Sequence, residues 1–203
     1  MVEELEVRER FNPVFAKLLD MLGTARDAFN RHSAASLEQL KRTYGEFSEE
    51  IKRSIEDFGG LAAKASESQK AIYIRFQSIL THLQMVGDNL EELSIPIVKK
   101  MKEAVLFSDK AVAQTNQLFD NLTGILRSIL DAIKTGNDFL KRYIQEEGQR
   151  VTQSCNDFAT EHEARLIEGL CLPQAAPLFL SMLNRMRAAG QHTVNIGRIL
   201  SQI

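Results

Sequence analysis

Apolar residues recur at alternating steps of four and three through the middle of the chain, at Ile72, Phe76, Ile79, Leu83, Val86, Leu90, Leu93 and Ile97. An α-helix turns once in about 3.6 residues, so this spacing lines the residues up along one stripe. Such a stripe seals against a neighbouring helix. The end of the chain carries a second stripe, at Phe179, Met182, Met186, Ala189, Thr193, Ile196 and Leu200. No alternation of the β type persists, aromatics are 7% of residues, and Trp is absent.

Caps and breakers divide the chain into six predicted helices. The first starts at Glu3 or Pro13 and runs to Asn30. Ser36 with Gln39 has capping-box spacing and opens a second, to about Phe58, where Gly59-Gly60 weakens or kinks the run. Ser66 with Gln69 opens a third, to about Leu93. Pro96 re-initiates a fourth, to about Lys134. Thr135-Gly136-Asn137 turns into a fifth, stopped by Gly169, and a sixth starts near Pro173.

The two stripes superpose at an offset of 103 residues, which aligns Phe76 with Phe179, Ser78 with Ser181, Leu80 with Leu183 and Gly87 with Gly190. Earlier helices repeat at an offset of 100: Leu40-Lys41-Arg42 matches Leu140-Lys141-Arg142, and Asp20-x-Leu22 matches Asp120-x-Leu122. A loop of different length accounts for the change of offset. The expectation is an all-α protein of two tandem three-helix bundle repeats, 1–96 and 97–203, forming one elongated six-helix assembly. A glycine inside a helix costs about 1 kcal/mol relative to Ala. Gly87 and Gly190 therefore imply a close approach, read as a tight helix crossing.

Composition narrows the function. Charged residues are 26%, and the net charge is -2. A surface that tracks nucleic-acid phosphates needs a clear Lys/Arg excess, so nucleic acid is excluded as a partner. Lys99-Lys100 and Lys141-Arg142 are read as solvated helix faces, with Glu146 and Glu147 spaced to pair with the latter. The start, Met1-Val2-Glu3-Glu4, lacks the apolar stretch of a signal peptide, and no apolar run is long enough to span a membrane. Cys155 and Cys171 form no CxxC motif and are read as reduced core residues. The expectation is a cytoplasmic protein, peripheral to a membrane at most.

The stripe helices also carry a recognisable motif. The first contains Ile74-Arg75-Phe76-Gln77-Ser78-Ile79-Leu80, then Gln84-Met85-Val86-Gly87-Asp88-Asn89, then Leu93. The second contains Phe179-Leu180-Ser181-Met182-Leu183, then Arg187-Ala188-Ala189-Gly190-Gln191-His192-Thr193-Val194-Asn195-Ile196. Both resemble the third-helix motif of the PhoU family, L-R-x-I-x-x-x-L-x-x-x-x-x-x-E-R-I-G-D-H-x-x-x-I. The motif evidence covers about 50 residues, while the order of helices covers nearly the whole chain.

The resemblance implies two three-helix repeats and a non-enzymatic cytoplasmic adaptor that contacts a phosphate transporter or a sensor kinase. A close variant is the PhoU-like module of sodium–phosphate cotransporters. It also implies metal clusters held by E-x-x-x-D carboxylates one turn apart, a donor set for Mg²⁺, Mn²⁺ or iron. Here those places hold Gln84 and Asp88 in the first copy, and Arg187 and Gln191 in the second. One carboxylate of four remains, and Arg187 would repel a cation. Asp88 and His192 are the candidate ligands for a single divalent metal or iron.

Other constellations are poorer. Glu161-His162-Glu163 occupies adjacent helix positions about 100° apart, so the three diverge. Cys155 and His162 lie two turns apart, too far for a thiolate–imidazole pair. No E-x-x-H pair supports a ferritin-like di-metal site, and no nucleophile elbow or P-loop occurs. Enzymatic activity is not expected. The alternative reading is a helical interaction module unrelated to phosphate, and a homodimer is expected because long bundles pair along a flank.

Overall fold

A computed structural model describes residues 7–203. The helices are α1 (Asn12–Arg31), α2 (Ala34–Lys64), α3 (Glu67–Glu92), α4 (Ser94–Lys102), α5 (Asp109–Thr135), α6 (Asp138–Ile167) and α7 (Ala176–Leu200). A single 3-10 turn, Pro173–Ala175, leads into α7. No strand occurs among the described residues. At 1.5 Å rise per residue, the 31 residues of α2 span about 46 Å, so the assembly is elongated.

Local chemistry sets most of the boundaries. Pro13 lies in the first turn of α1, where its missing N–H costs nothing; the alternative start at Glu3 lies outside the described residues. The backbone N–H of Ser66 donates to Gln69 Oε1 at 3.4 Å, the reciprocal half of a capping box. Gly136 ends α5 in the left-handed region at φ 67°, and Asn137 caps α6 by accepting from the N–H of Phe139 at 2.8 Å. Gly169, at φ 71°, follows the end of α6.

Each unit is an antiparallel three-helix bundle. In the first, α1 and α2 run antiparallel, with Thr43 donating to Asp20 at 2.9 Å, and α2 pairs in the same sense with α3. In the second, α6 packs antiparallel against both α5 and α7. The units then join like with like. First helices α1 and α5 meet through Arg26, which holds Asp120 at 2.6 Å and Asn116 at 2.9 Å. Third helices α3 and α7 meet through His82 with His192 and Glu92 with Arg185. Helices α2 and α6 flank the two sides.

One continuous core runs through both units. Phe11, Phe58 and Phe76 cluster at one end with centroids 5.4–5.5 Å apart. Phe29, Phe107, Phe119 and Phe179 form a second aromatic cluster at the other end. Both predicted stripes are buried almost throughout, each large apolar side chain contributing about 1.5–3 kcal/mol.

Four expectations are corrected. The predicted fourth helix is two: the chain leaves α4 at Lys102, turns through Ala104 at φ 49°, and runs extended to Ser108, which caps α5 by accepting from the N–H of Ala111. Burial of Val105 and Phe107 in the core outweighs the helical continuity suggested by their neighbours. Gly59-Gly60 does not break α2; Gln77 of α3 reaches over Gly59 and donates to the Ile55 carbonyl at 2.9 Å. The cap of α2 is Ser33, accepting from Ser36 N–H at 3.1 Å, because the Gln39 amide turns to Asp20.

The basic pairs are solvated only in part: Lys99 and Arg142 are exposed as expected, but their neighbours are not. Lys100 is 5% exposed, its amine over the rings of Phe29 and Phe107 and against Nε2 of His32. Lys141 is 8% exposed and pairs with Asp138 at 3.0 Å, while Glu147 pairs with Arg150.

Candidate functional site

The first-copy motif faces α2. Asp88 accepts a hydrogen bond from the Tyr44 hydroxyl at 2.9 Å and another from the Gln84 amide at 2.5 Å. Gln84 also reaches Ser48 Oγ at 3.5 Å. Tyr44 and Ser48 are four apart on α2, as Gln84 and Asp88 are on α3, so two one-turn pairs oppose each other across an antiparallel contact. Burial first, and the Asp88 hydrogen bond second, push the Tyr44 hydroxyl above its ordinary pKa. Gly87 lies beside this network against the ring of Phe47, so the expected tight helix crossing is a glycine under an aromatic side chain.

The second-copy motif is more open. Arg187 donates to Asn156 of α6 at 3.1 Å and to Asn184 at 3.0 Å. Gln191 and Asn195 line a shallow groove of about 430 Å³ with Gln149, Thr152, Gln153 and Arg198. Beneath it Gly190 and Gly148 bring the backbones of α7 and α6 together: a Cβ at 148 would reach the Gly190 carbonyl at 3.0 Å.

His192 turns to the other side of α7, toward α3. Its Nδ1 lies 3.1 Å from Nδ1 of His82, with the rings tilted by 42°. Burial lowers the pKa of both imidazoles; the neighbouring ring lowers that of His192 further, and the charge of Asp88 opposes it. Asp88 and His192 thus share a neighbourhood, but the imidazole facing His192 belongs to His82. Residues Tyr44, Ser48 and His82 were missed from the sequence. Tyr44 and Ser48 lie on another helix, outside the motif, and His82 occupies an unspecified position within it.

These residues do not fit the carboxylate metal cluster that the motif resemblance implies. A cation needs lone pairs, and the Asp88 oxygen instead meets an N–H and an O–H donor. Arg187 and Gln191 offer the second copy no anionic donor. Among the described residues no three His, Cys, Asp or Glu side chains converge as metal ligands.

Elsewhere, Glu161 points outward to Lys110, Gln114 and Arg165, while His162 is buried at 4.8 Å from the Phe179 ring. Cys155 is buried, and burial pushes its thiol up to about 12. No helix among the described residues is long and apolar enough to cross a membrane.

No family model and no curated protein sequence matches the chain. Solved structures do. PhoU from Pseudomonas aeruginosa superposes with a TM-score of 0.87 at 14% identity, covering 98% of this chain and 95% of that one. The phosphate transport system regulatory protein PhoU from Streptococcus pneumoniae superposes with a TM-score of 0.85 at 16% identity, covering 98% and 93%. Over nearly its whole length, this chain has the fold of the PhoU proteins.

Proposed function

We propose that this protein is a non-enzymatic, PhoU-like regulator of phosphate transport, an adaptor in the cytoplasm that contacts a phosphate transporter or a sensor kinase. The observation that carries this reading is the fold match over 98% of the chain to a phosphate transport system regulatory protein. The motif frame supports it: Gly87 and Gly190 occupy equivalent places in the two units, each at a close helix contact. In this reading 1–96 and 97–203 are the two copies of one module, a homodimer is the working form, and α4 bridges the copies.

The non-enzymatic part of this reading is supported by chemistry as well as by fold. The thiol of Cys155 is buried and protonated at neutral pH, and Asp88 is engaged by two donors.

The test is deletion of the gene in its own host, with uptake of radiolabelled phosphate measured before and after restoring it, and co-purification from crosslinked cells. Altered uptake, restored by the gene, with a phosphate transporter or sensor kinase among the captured proteins, is the expected result. Unchanged uptake with only unrelated partners overturns the phosphate reading and favours a helical interaction module.

A further inference from the structure

We propose that His82 and His192 form a two-histidine site for a single imidazole-preferring transition-metal ion, such as Cu²⁺, Ni²⁺ or Zn²⁺, that ties α3 to α7. The inference does not rest on the phosphate reading.

The geometry comes first. Metal–imidazole bonds are about 2.0–2.1 Å long, so two ring nitrogens on one ion lie about 3.3 Å apart in a tetrahedral site and about 2.9 Å apart in adjacent square-planar positions. The two Nδ1 atoms are 3.1 Å apart, between these values. Their ring centroids are 5.3 Å apart and the planes are tilted, so the nitrogens converge and the rings do not stack.

Rigidity is the second part. Each imidazole is carried on a long helix, and the two helices pack against each other along the seam between the units. The neighbours of His82 and His192 on that seam, Leu83 and Thr193, are buried. The chelate is assembled before the ion arrives, which removes an ordering cost from binding.

Electrostatics is the third. A neutral imidazole keeps one ring nitrogen's lone pair available for a metal. Without the ion, one Nδ1–H donates to the other Nδ1. On binding, that proton moves to Nε2 of the same ring, so no net proton is released. The Asp88 charge acts on His192 and favours a cation there. Both rings are half-buried, so water completes the coordination. This donor set selects metals unlike those of a carboxylate cluster: imidazole nitrogen suits Cu²⁺, Ni²⁺ and Zn²⁺ over Mg²⁺ and Mn²⁺.

The test uses the full chain without an affinity tag, titrated with Cu²⁺, Ni²⁺ and Zn²⁺ against a competing chelator. The expected result is one ion per chain, tightest for Cu²⁺, with electron paramagnetic resonance of the Cu²⁺ form showing two imidazole nitrogens. His82→Gln and His192→Gln each weaken binding at least about tenfold, while His32→Asn leaves it unchanged. Circular dichroism establishes that the variants fold, and the wild-type nitrogen count stands without any variant. A spectrum with one imidazole nitrogen or none, or unchanged affinity in His82→Gln, overturns the proposal. So does equal competition by Mg²⁺ or Mn²⁺, which would place the ion on carboxylates.

Discussion

Gly87 of α3 lies directly against the ring of Phe47 on α2, so closely that a Cβ at 87 would overlap the ring edge. The contact decides what a side chain there would do. Gly87→Ala gains about 1 kcal/mol of helix propensity. It loses more, because overpacking a close contact costs about 1–3 kcal/mol. The expected outcome is a net loss of stability, read from the urea midpoint. Gly60→Ala is the converse. Gly60 lies inside α2, exposed, with nothing within 4 Å of its would-be Cβ, and should stabilise by about 0.5–1 kcal/mol.

Tyr44 reports on the polar network. Its raised pKa means that the folded state prefers the neutral phenol, through burial and then the hydrogen bond to Asp88. The associated stability is present below the ordinary value of 10.0 and is lost as pH rises through the higher folded value. Asp88→Asn should move the phenol titration, followed by absorbance at 295 nm, to lower pH. An unchanged titration would mean that the hydroxyl does not donate to Asp88.

The histidines shift in the opposite direction. His82, His162 and His192 are all lowered from the ordinary 6.5, mainly by burial. The unfolded chain therefore binds protons more readily near that pH. Stability contributed by neutral imidazoles is present above 6.5 and is lost as pH falls through the folded values. Urea midpoints should fall as pH drops below 6.5 in metal-free buffer, and His82→Gln should flatten the dependence by removing one titrating ring and the repulsion it exerts on His192.

The two thiols should separate kinetically. Cys155 is buried and pushed up to about 12, while Cys171 is half-exposed, with its sulfur 3.9 Å from Ser108 Oγ. An aromatic disulfide reagent at pH 8 should modify Cys171 rapidly and Cys155 only at the rate of unfolding. Cys171→Ser should abolish the fast phase, and Cys155→Ser should leave it intact.

Much of the fold was legible because it is written in local chemistry. The boundaries at Pro13, Ser66, Gly136 and Gly169 follow from backbone groups that the residue itself or a neighbour three positions away satisfies. The split of the fourth helix was legible only in part. Ser108, the cap of α5, is the local sign of a new start, but the extended run before it is set at long range, because the Phe107 ring packs between Phe29 and Phe179. Lys100 misled for a related reason, since its burial depends on aromatic rings from α1 and the 103–108 segment.

The candidate site divides in the same way. That the motif frame had lost its paired carboxylates was plain from Gln84, Arg187 and Gln191. What took their place was not: Tyr44 and Ser48 come from another helix, and their partnership depends on how α2 is registered against α3.

The sequence by itself determined most of the helices, the two apolar stripes and the repeated order, because periodicity and capping act over a turn or two of chain. Only the tertiary structure decided that the stripes bring His82 to His192, 110 residues away, and Arg26 to Asp120. A stripe says which face of a helix is buried. It leaves open which helix covers that face and at what height, and those are settled by packing of the whole core at once.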